Sequence, residues 1–224
     1  FAIEGMLSEG HLDVLAMFDK PDPLDGPYFE ETFYISPARI TGKERQLIVD
    51  AVQRSCQAYG LVTGPVHAEC RLNESGAWLI ELAARTIGGL CSRLLNFGTG
   101  YSLEELVLAN AIGLDLPKKV SSGAAGVLML PILQQGVLRR VEGVMKAEKI
   151  PYIDDIEISL REGYKVYPLP EGASYLGFVF SSASDADTVE HALRDANRQL
   201  KPVIAPFWPV VDGKKEASSE TAAG

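Results

Sequence analysis

The sequence predicts an α+β fold in which antiparallel strand pairs alternate with helices. Three observations predict it: short apolar runs separated by turn residues, segments with helical spacing that begin at capping boxes, and a strand of buried type at 175–182 followed by an amphipathic helix. With 224 residues, of which 46% are hydrophobic, the chain is long enough to bury a substantial core. The mixture of hairpins and helices favours α+β over a parallel α/β sheet.

The first part of the chain predicts a hairpin, a loop and a short strand. Apolar runs at 1–7 and 12–18 flank a turn that contains Gly10, a pattern typical of a β-hairpin. Residues 19–31 contain several prolines and acids and predict a loop, because Pro breaks both regular elements. Residues 32–36 then predict a strand.

Two helices are predicted from their capping boxes. Thr41 and Glu44 precede apolar residues at helical spacing, and Gly60 is a plausible stop. Ser102 and Glu105 repeat the capping pattern further along the chain. Between these helices the sequence predicts two strands around an Asn-Glu-Ser-Gly turn, followed by a short helix.

The character of the sequence changes near residue 118, where a small-residue stretch begins. We therefore expect a first unit over 1–117 and a second, small α/β unit over 118–207 built from short strands and one helix. That helix is predicted to begin at Ser184, with Asp187 three residues on. The polar stretch 208–224 predicts a flexible tail.

The charge balance excludes some classes of partner. The chain has 30 acidic and 21 basic residues, a formal net charge of -9, and this balance argues against a nucleic-acid partner, which would be bound by a basic face. A few local Arg, Lys or backbone N–H groups could still hold an anionic ligand. No apolar run approaches the roughly 20 residues that cross a bilayer, and we expect no membrane partner.

Three scattered cysteines predict reduced, mostly buried thiols and a cytoplasmic location. The first ten residues show no basic segment followed by an apolar one, and so predict no signal peptide. Residue 1 already lies in a strand-like run, from which we expect the chain to be a fragment with sequence missing before it.

The strands predicted at 65–72 and 78–83 bring two glutamates together. Side chains alternate between the faces of a strand, and a slip of one residue would send one apolar set to the wrong side. The apolar faces coincide if three pairs face each other: Leu72 with Trp78, Cys70 with Ile80, and Ala68 with Leu82. The same register predicts that Glu69 lies directly opposite Glu81, with His67 on the same face as Glu69.

Adjacent carboxylates need an offsetting charge. At about 4 Å they repel each other by roughly 4 kcal/mol when the effective dielectric constant is near 20. A proton, Arg71 or Arg85, or a divalent cation could offset this repulsion, and oxygen ligands suit Mg²⁺ or Mn²⁺. The alternative is a solvated polar face whose acids pair with nearby arginines.

A candidate anion site directly follows the second strand. Gly88 and Gly89 stand before a short helix, where backbone N–H groups can approach an anion closely. Arg85 is the fork-shaped donor that suits phosphate or carboxylate. The order of these residues along the chain is a more specific signal than any one of them. Glu69 is followed by Glu81 twelve residues on, by Arg85 four residues after that, and then by the glycine pair.

The segment 64–95 (GPVHAECRLNESGAWLIELAARTIGGLCSRLL) resembles the metal-binding core of the ATP-grasp superfamily, and is most similar to the carboxylate–amine (L-amino acid) ligase branch. Residues 19–38 and 168–183 also resemble that branch, so the resemblance covers nearly all of 1–205. It implies the C-terminal subdomain of an ATP-grasp domain, an antiparallel sheet with helices, followed by a small α/β C-terminal domain.

The resemblance also implies a reaction. In this family a substrate carboxylate receives the γ-phosphoryl group of ATP, and an amine then attacks the acyl phosphate to give an amide or peptide bond, ADP and phosphate. It implies that the substrates are a small carboxylate and an amine, both amino acids. Carried over by position, the implied roles are Glu69 and Glu81 for Mg²⁺ (or Mn²⁺) and ATP, Arg85 for catalysis, and His67, Gly88 and Gly89 for substrate.

Two features depart from the family pattern. Ala83 stands where many members have an asparagine that contacts the metal. The glycine-rich loop, lysines and hinge that hold the nucleotide are absent, so we expect a chain that lacks the N-terminal nucleotide half. Lys20 could reach a phosphate, and Glu30 and Glu31 could recognise the amine of an amino-acid substrate, but we expect these residues to be solvated, in a loop that forms a surface or a lid.

Two alternative functions stay open. One is an ATP-grasp carboxylase or an enzyme like carbamoyl-phosphate synthase, and the other is a non-catalytic binding module with the same fold. A homodimer is also left open.

Overall fold

The computed structural model describes residues 1–23, 31–117, 122–168, 171–172 and 174–207. Within them the helices and strands follow in this order: β1 (Ala2–Ser8), β2 (His11–Phe18), β3 (Phe33–Ser36), α1 (Gly42–Ala58), β4 (Gly64–Asn73), β5 (Gly76–Ala83), α2 (Arg93–Thr99), α3 (Leu103–Ala111), β6 (Ala124–Leu130), β7 (Gly136–Glu142), α4 (Val144–Ala147), β8 (Ile153–Ile158), β9 (Lys165–Val166), β10 (Gly177–Ala183), α5 (Ala186–Gln199) and β11 (Lys201–Ala205).

The strands form three antiparallel sheets. Sheet A has the order β2-β1-β4-β5, sheet B the order β3-β6-β10-β8, and sheet C the order β11-β7-β9. The predicted α+β class with antiparallel sheets and a few helices is confirmed. The predicted hairpin at the start of the chain is β1–β2.

Three apolar clusters hold these layers together. One face of sheet A packs against α1, where Ile48 and Val52 are fully buried. Sheet B packs against α5 through Val189 and Leu193. The third cluster joins the two sheets, because Phe18 of sheet A and side chains of sheet B share it with α2. Side chains of this third cluster also line the candidate site.

The division into two units stays a prediction. Strand β3, from the first predicted unit, pairs with β6, from the second, so both contribute to sheet B. The predicted tail, 208–224, lies outside the described residues.

The capping predictions are confirmed twice and wrong once. Thr41 and Ser102 both form complete capping boxes. The N-cap of α5 is Asp185 rather than Ser184, since the Asp185 carboxylate accepts the Thr188 N–H at 2.8 Å. The Ser184 hydroxyl instead donates to Asp185. The Asp185 carboxylate, one residue further along the chain, therefore caps α5 in place of the Ser184 hydroxyl.

A bulge in the β4–β5 hairpin corrects part of the predicted register. Glu69 pairs with Glu81 and Ala68 with Leu82, as predicted, but the register then shifts by one residue. The predicted pairs of Cys70 with Ile80 and Leu72 with Trp78 are wrong: Cys70 pairs with Leu79, Arg71 with Trp78, and Leu72 with Ala77. The extra residue turns Leu79 to the core and leaves Trp78 and Ile80 exposed, at 58% and 53%.

The cap of α1 gives a test of local stability. Thr41→Ala removes the acceptor for the Glu44 N–H, so we expect the free energy of unfolding to fall by about 1 kcal/mol. Urea denaturation measures this change, with Thr63→Ala, an exposed loop threonine, as the control. Equal midpoints for the two variants would contradict the role of the cap.

All three cysteines are free and buried. Burial raises the pKa of the Cys70 thiol to about 11 and that of Cys91 to about 12, which keeps both protonated at neutral pH. In the part of the chain that the structure describes, no helix has both the length and the apolar character needed to cross a membrane.

Candidate active site

Residues of sheets A and B surround a cavity of about 460 Å³. The structure brings all six predicted site residues to its wall: His67, Glu69, Glu81, Arg85, Gly88 and Gly89. They come from two neighbouring strands and from the segment that joins β5 to α2. What each of them does stays a prediction.

Glu69 and Glu81 are paired across the strands but lie in different surroundings. The Glu69 side chain is 18% exposed, whereas that of Glu81 is 52% exposed. The Glu69 carboxylate forms an ion pair with the Lys20 ammonium at 3.1 Å, and it lies 3.7 Å from His67 Nε2. Burial alone would raise the pKa of Glu69. Hydrogen bonds with the His67 and Glu31 side chains and the positive charge of Lys20 outweigh burial and hold this pKa well below its usual range. The carboxylate therefore stays charged.

Lys20 is a buried part of the site, contrary to the expectation that it is solvated. Its side chain is 5% exposed and its ammonium forms ion pairs with both Glu31 and Glu69. The expectation for Glu31 is also wrong, because its carboxylate is held by Lys20 and accepts the Tyr34 hydroxyl. Burial raises the pKa of Glu31, the Lys20 charge opposes that rise, and the hydrogen bond with Glu69 and the Glu69 charge add to it. The lysine is thus an internal cation between two carboxylates.

His67 faces the cavity but is tied to another carboxylate. The residue is 5% exposed, and its Nδ1 lies 3.2 Å from Glu4 Oε2 on β1. Burial alone would lower the pKa of His67, but the bonds to Glu4 and Glu69 outweigh it and raise the pKa to about 9. A protonated His67 donates from Nδ1 to Glu4 and presents its other nitrogen towards Glu69.

The segment from Arg85 to Gly89 forms another part of the wall. The Arg85 side chain is 56% exposed, donates to the Thr86 carbonyl at 2.8 Å and lies 3.5 Å from Glu81. Such exposed contacts are weak, so the guanidinium can turn to another anion at little cost. Gly89 has φ +61°, and a Cβ there would lie 3.3 Å from the Phe178 ring, whereas a Cβ on Gly88 would meet open space.

The carboxylate pair fits Mg²⁺ in one of its usual modes. The described residues contain no group of three or more His, Cys, Asp or Glu that could cage a metal ion. Mg²⁺ does not need such a cage, because it commonly takes one or two carboxylates and completes its shell with water and phosphate oxygens. Glu69 and Glu81, both on the cavity wall, are hard oxygen donors of the kind that such a shell uses, and Ala83 adds no third donor.

Apolar side chains from later parts of the chain also line the cavity: Met129, Leu160, Tyr175 and Phe178. Sequence reasoning did not assign any of these residues, nor Glu4, to the site. Glu4 carries a weak signal, since it is a lone acid in the apolar run of β1.

Two families match this chain. Residues 1–93 match the ATP-grasp domain family, and residues 128–205 match L-amino acid ligase C-terminal domain 2. The matched ranges include all six candidate site residues and most of the second predicted unit.

Three relatives extend the comparison. An L-amino acid ligase from Bacillus licheniformis has a structure similar to this one, with a TM-score of 0.80 and 28% identity over 92% of this chain and 51% of that chain. Alanine–anticapsin ligase from Bacillus subtilis is 30% identical over 121 residues, which are 52% of this chain and 25% of the relative. The uncharacterized protein y4rH of Sinorhizobium fredii is 26% identical over 188 residues, 83% of this chain and 39% of the relative.

The fold is therefore the ATP-grasp fold, and the chain resembles ATP-grasp ligases over the two matched ranges. It is similar to L-amino acid ligases in particular. The chain spans about half the length of the L-amino acid ligase structure and less of the curated relatives.

Proposed function

We propose that the protein is an ATP-dependent carboxylate–amine ligase that joins a small carboxylate, most simply an amino acid, to an amine. One observation carries the proposal: Glu69 and Glu81 pair on the wall of a cavity that also contains Arg85 and the Gly88–Gly89 turn. The similarity to L-amino acid ligases supports amino acids as the substrate class. Three buried free thiols support the further proposal of a cytoplasmic location.

The proposed reaction has two steps. The γ-phosphoryl group of ATP passes to an oxygen of the substrate carboxylate, and ADP leaves. The amine nitrogen then attacks the acyl carbon, phosphate leaves with the transferred oxygen, and the nitrogen loses a proton. Catalysis of this kind depends on positioning and on neutralising charge.

Each residue has a proposed part in these steps. Glu69 and Glu81 would hold Mg²⁺, which when bound neutralises charge on the ATP phosphates. Arg85, exposed and weakly held, turns to the moving phosphoryl group. Gly88 and Gly89 offer backbone close to the substrate carboxylate. His67 stays fixed on Glu4 and contributes to the substrate side of the wall.

The proposal is tested by ADP release from MgATP, using the protein made from its complete natural gene. We expect release to require an amino acid and a peptide to form when a second amino acid supplies the amine. Bicarbonate with or without biotin serves as the control for a carboxylase. Release that depends on bicarbonate, or a protein that binds no MgATP in calorimetry, would contradict the proposal.

A further inference from the structure

A carboxyl side chain in the middle of sheet A has no part in the proposed chemistry beyond holding His67. Glu4 lies on β1, is 0% exposed, and is directly opposite His67 on β4. Glutamate is almost never fully buried unless it is paired. The partners of Glu4 should therefore indicate why a carboxylate occupies this position.

Those partners come from two separate parts of the site. The Ile87 N–H donates to both oxygens of Glu4, at 3.1 and 3.2 Å, and His67 Nδ1 lies 3.2 Å from Oε2. Burial raises the pKa of Glu4, while the bonds from His67 and from the Ile87 N–H oppose that rise. One carboxylate thus joins β1 to both β4 and the segment after β5.

Within the described residues, the other contacts of the segment after β5 are mainly apolar. Residues 86–88 lie in no helix or strand. The Ile87 side chain is buried in the cluster between the sheets, and Gly89 lies against the Phe178 ring. Apolar packing of this sort holds a segment near a surface, whereas a hydrogen bond to a fixed acceptor also sets its orientation.

We propose that Glu4 is a positioning residue whose carboxylate ties the Arg85–Gly89 segment to sheet A and so sets that segment's position relative to the Glu69–Glu81 pair. Stability alone is a weaker explanation, because replacing a buried ion pair with apolar side chains is often neutral or stabilising. The consequence for catalysis rests on the proposed function, but the contact itself does not.

Two variants separate the hydrogen bond from the space that the side chain fills. Glu4→Met keeps the length of the side chain and removes every strong acceptor. Glu4→Gln keeps one acceptor oxygen for the Ile87 N–H and removes the charge. Hydrogen–deuterium exchange of the purified protein then reports on residues 86–89, with α1 (Gly42–Ala58) as the internal control for an intact sheet A.

We expect Glu4→Met to speed exchange at the Ile87 amide at least about fivefold, because a buried N–H loses its partner. Exchange in α1 should stay at the wild-type rate, and Glu4→Gln should stay close to wild type in both segments. Wild-type exchange at Ile87 in a folded Glu4→Met variant would overturn the proposal. If Glu4→Met does not fold, Glu4→Leu takes its place, and wild-type exchange at Ile87 in that variant would overturn the proposal.

Kinetics separate this inference from the proposed function. We expect Glu4→Met to raise the KM for the carboxylate substrate about tenfold, with the KM for ATP nearly unchanged, and Glu4→Gln to restore most of the loss. Faster exchange at Ile87 with unchanged kinetics would support the positioning role and contradict the proposed roles of Gly88 and Gly89. The two failures are therefore distinguishable.

Discussion

Replacing Glu81 with glutamine is expected to lower ATP-dependent ADP release by about a thousandfold. Glutamine has nearly the same size but no charge, so the variant loses the anion that would help hold Mg²⁺ on the phosphates. The fold should be unaffected, because Glu81 is 52% exposed and its contact with Arg85 is a weak surface pair. Glu81 is a cleaner target than Glu69, whose removal would also disturb Lys20 and His67.

The matched control is Glu74→Gln, in the turn of the same hairpin. Glu74 is exposed and lies at the far end of the hairpin from the cavity. We expect it to keep wild-type ADP release, and the two variants to unfold at the same urea concentration. A Glu81→Gln protein that releases ADP at the control's rate would contradict a metal-binding role for the carboxylate pair.

Replacing Arg85 with lysine is expected to lower kcat about a hundredfold, with the KM for ATP nearly unchanged. Lysine keeps the positive charge but loses the planar fork that meets two phosphoryl oxygens at once. The contacts that Arg85 makes are weak and local, so stability should change little. Steady-state rates at saturating ATP and amino acid measure the effect.

Arg54→Lys, on the exposed side of α1, is the control for the arginine prediction. We expect it to keep wild-type kcat and KM. If Arg85→Lys instead raised the KM for ATP and left kcat unchanged, the arginine would serve uniform binding of the nucleotide rather than the transfer step.

The local patterns of the sequence were enough to predict the central pair of the site. Alternation of side chains placed His67 and Glu69 on one face of β4, and the need to match apolar faces placed Glu81 opposite Glu69. Capping boxes predicted the starts of α1 and α3 because they too are local patterns, in which the interacting groups are only three residues apart.

Alternation failed where the backbone departs from a regular ladder. Alternation cannot reveal the register shift just beyond the Glu69–Glu81 pair, because an extra residue in one strand leaves the apolar composition unchanged. Trp78 and Ile80 therefore looked like core residues and are exposed.

The residues that sequence reasoning missed are joined by contacts between distant parts of the chain. Glu4 meets Ile87 across 83 positions, and Lys20 meets Glu69 from a loop whose composition indicates only solvent exposure. Such contacts depend on how the layers pack, and neither periodicity nor capping encodes them. A lone acid inside an apolar strand is the local sign that such a partner exists.

The transfer of the phosphoryl group to a substrate carboxylate is tested most directly by tracing the oxygen atoms of that carboxylate with an isotope. An amino acid labelled with ¹⁸O in its carboxylate is converted with MgATP, and the products are analysed by mass spectrometry. The proposed ligase reaction predicts one ¹⁸O atom in each phosphate released, because the acyl oxygen that receives the phosphoryl group leaves with it. Peptide formation with unlabelled phosphate, or with the label in AMP, would contradict an acyl phosphate intermediate.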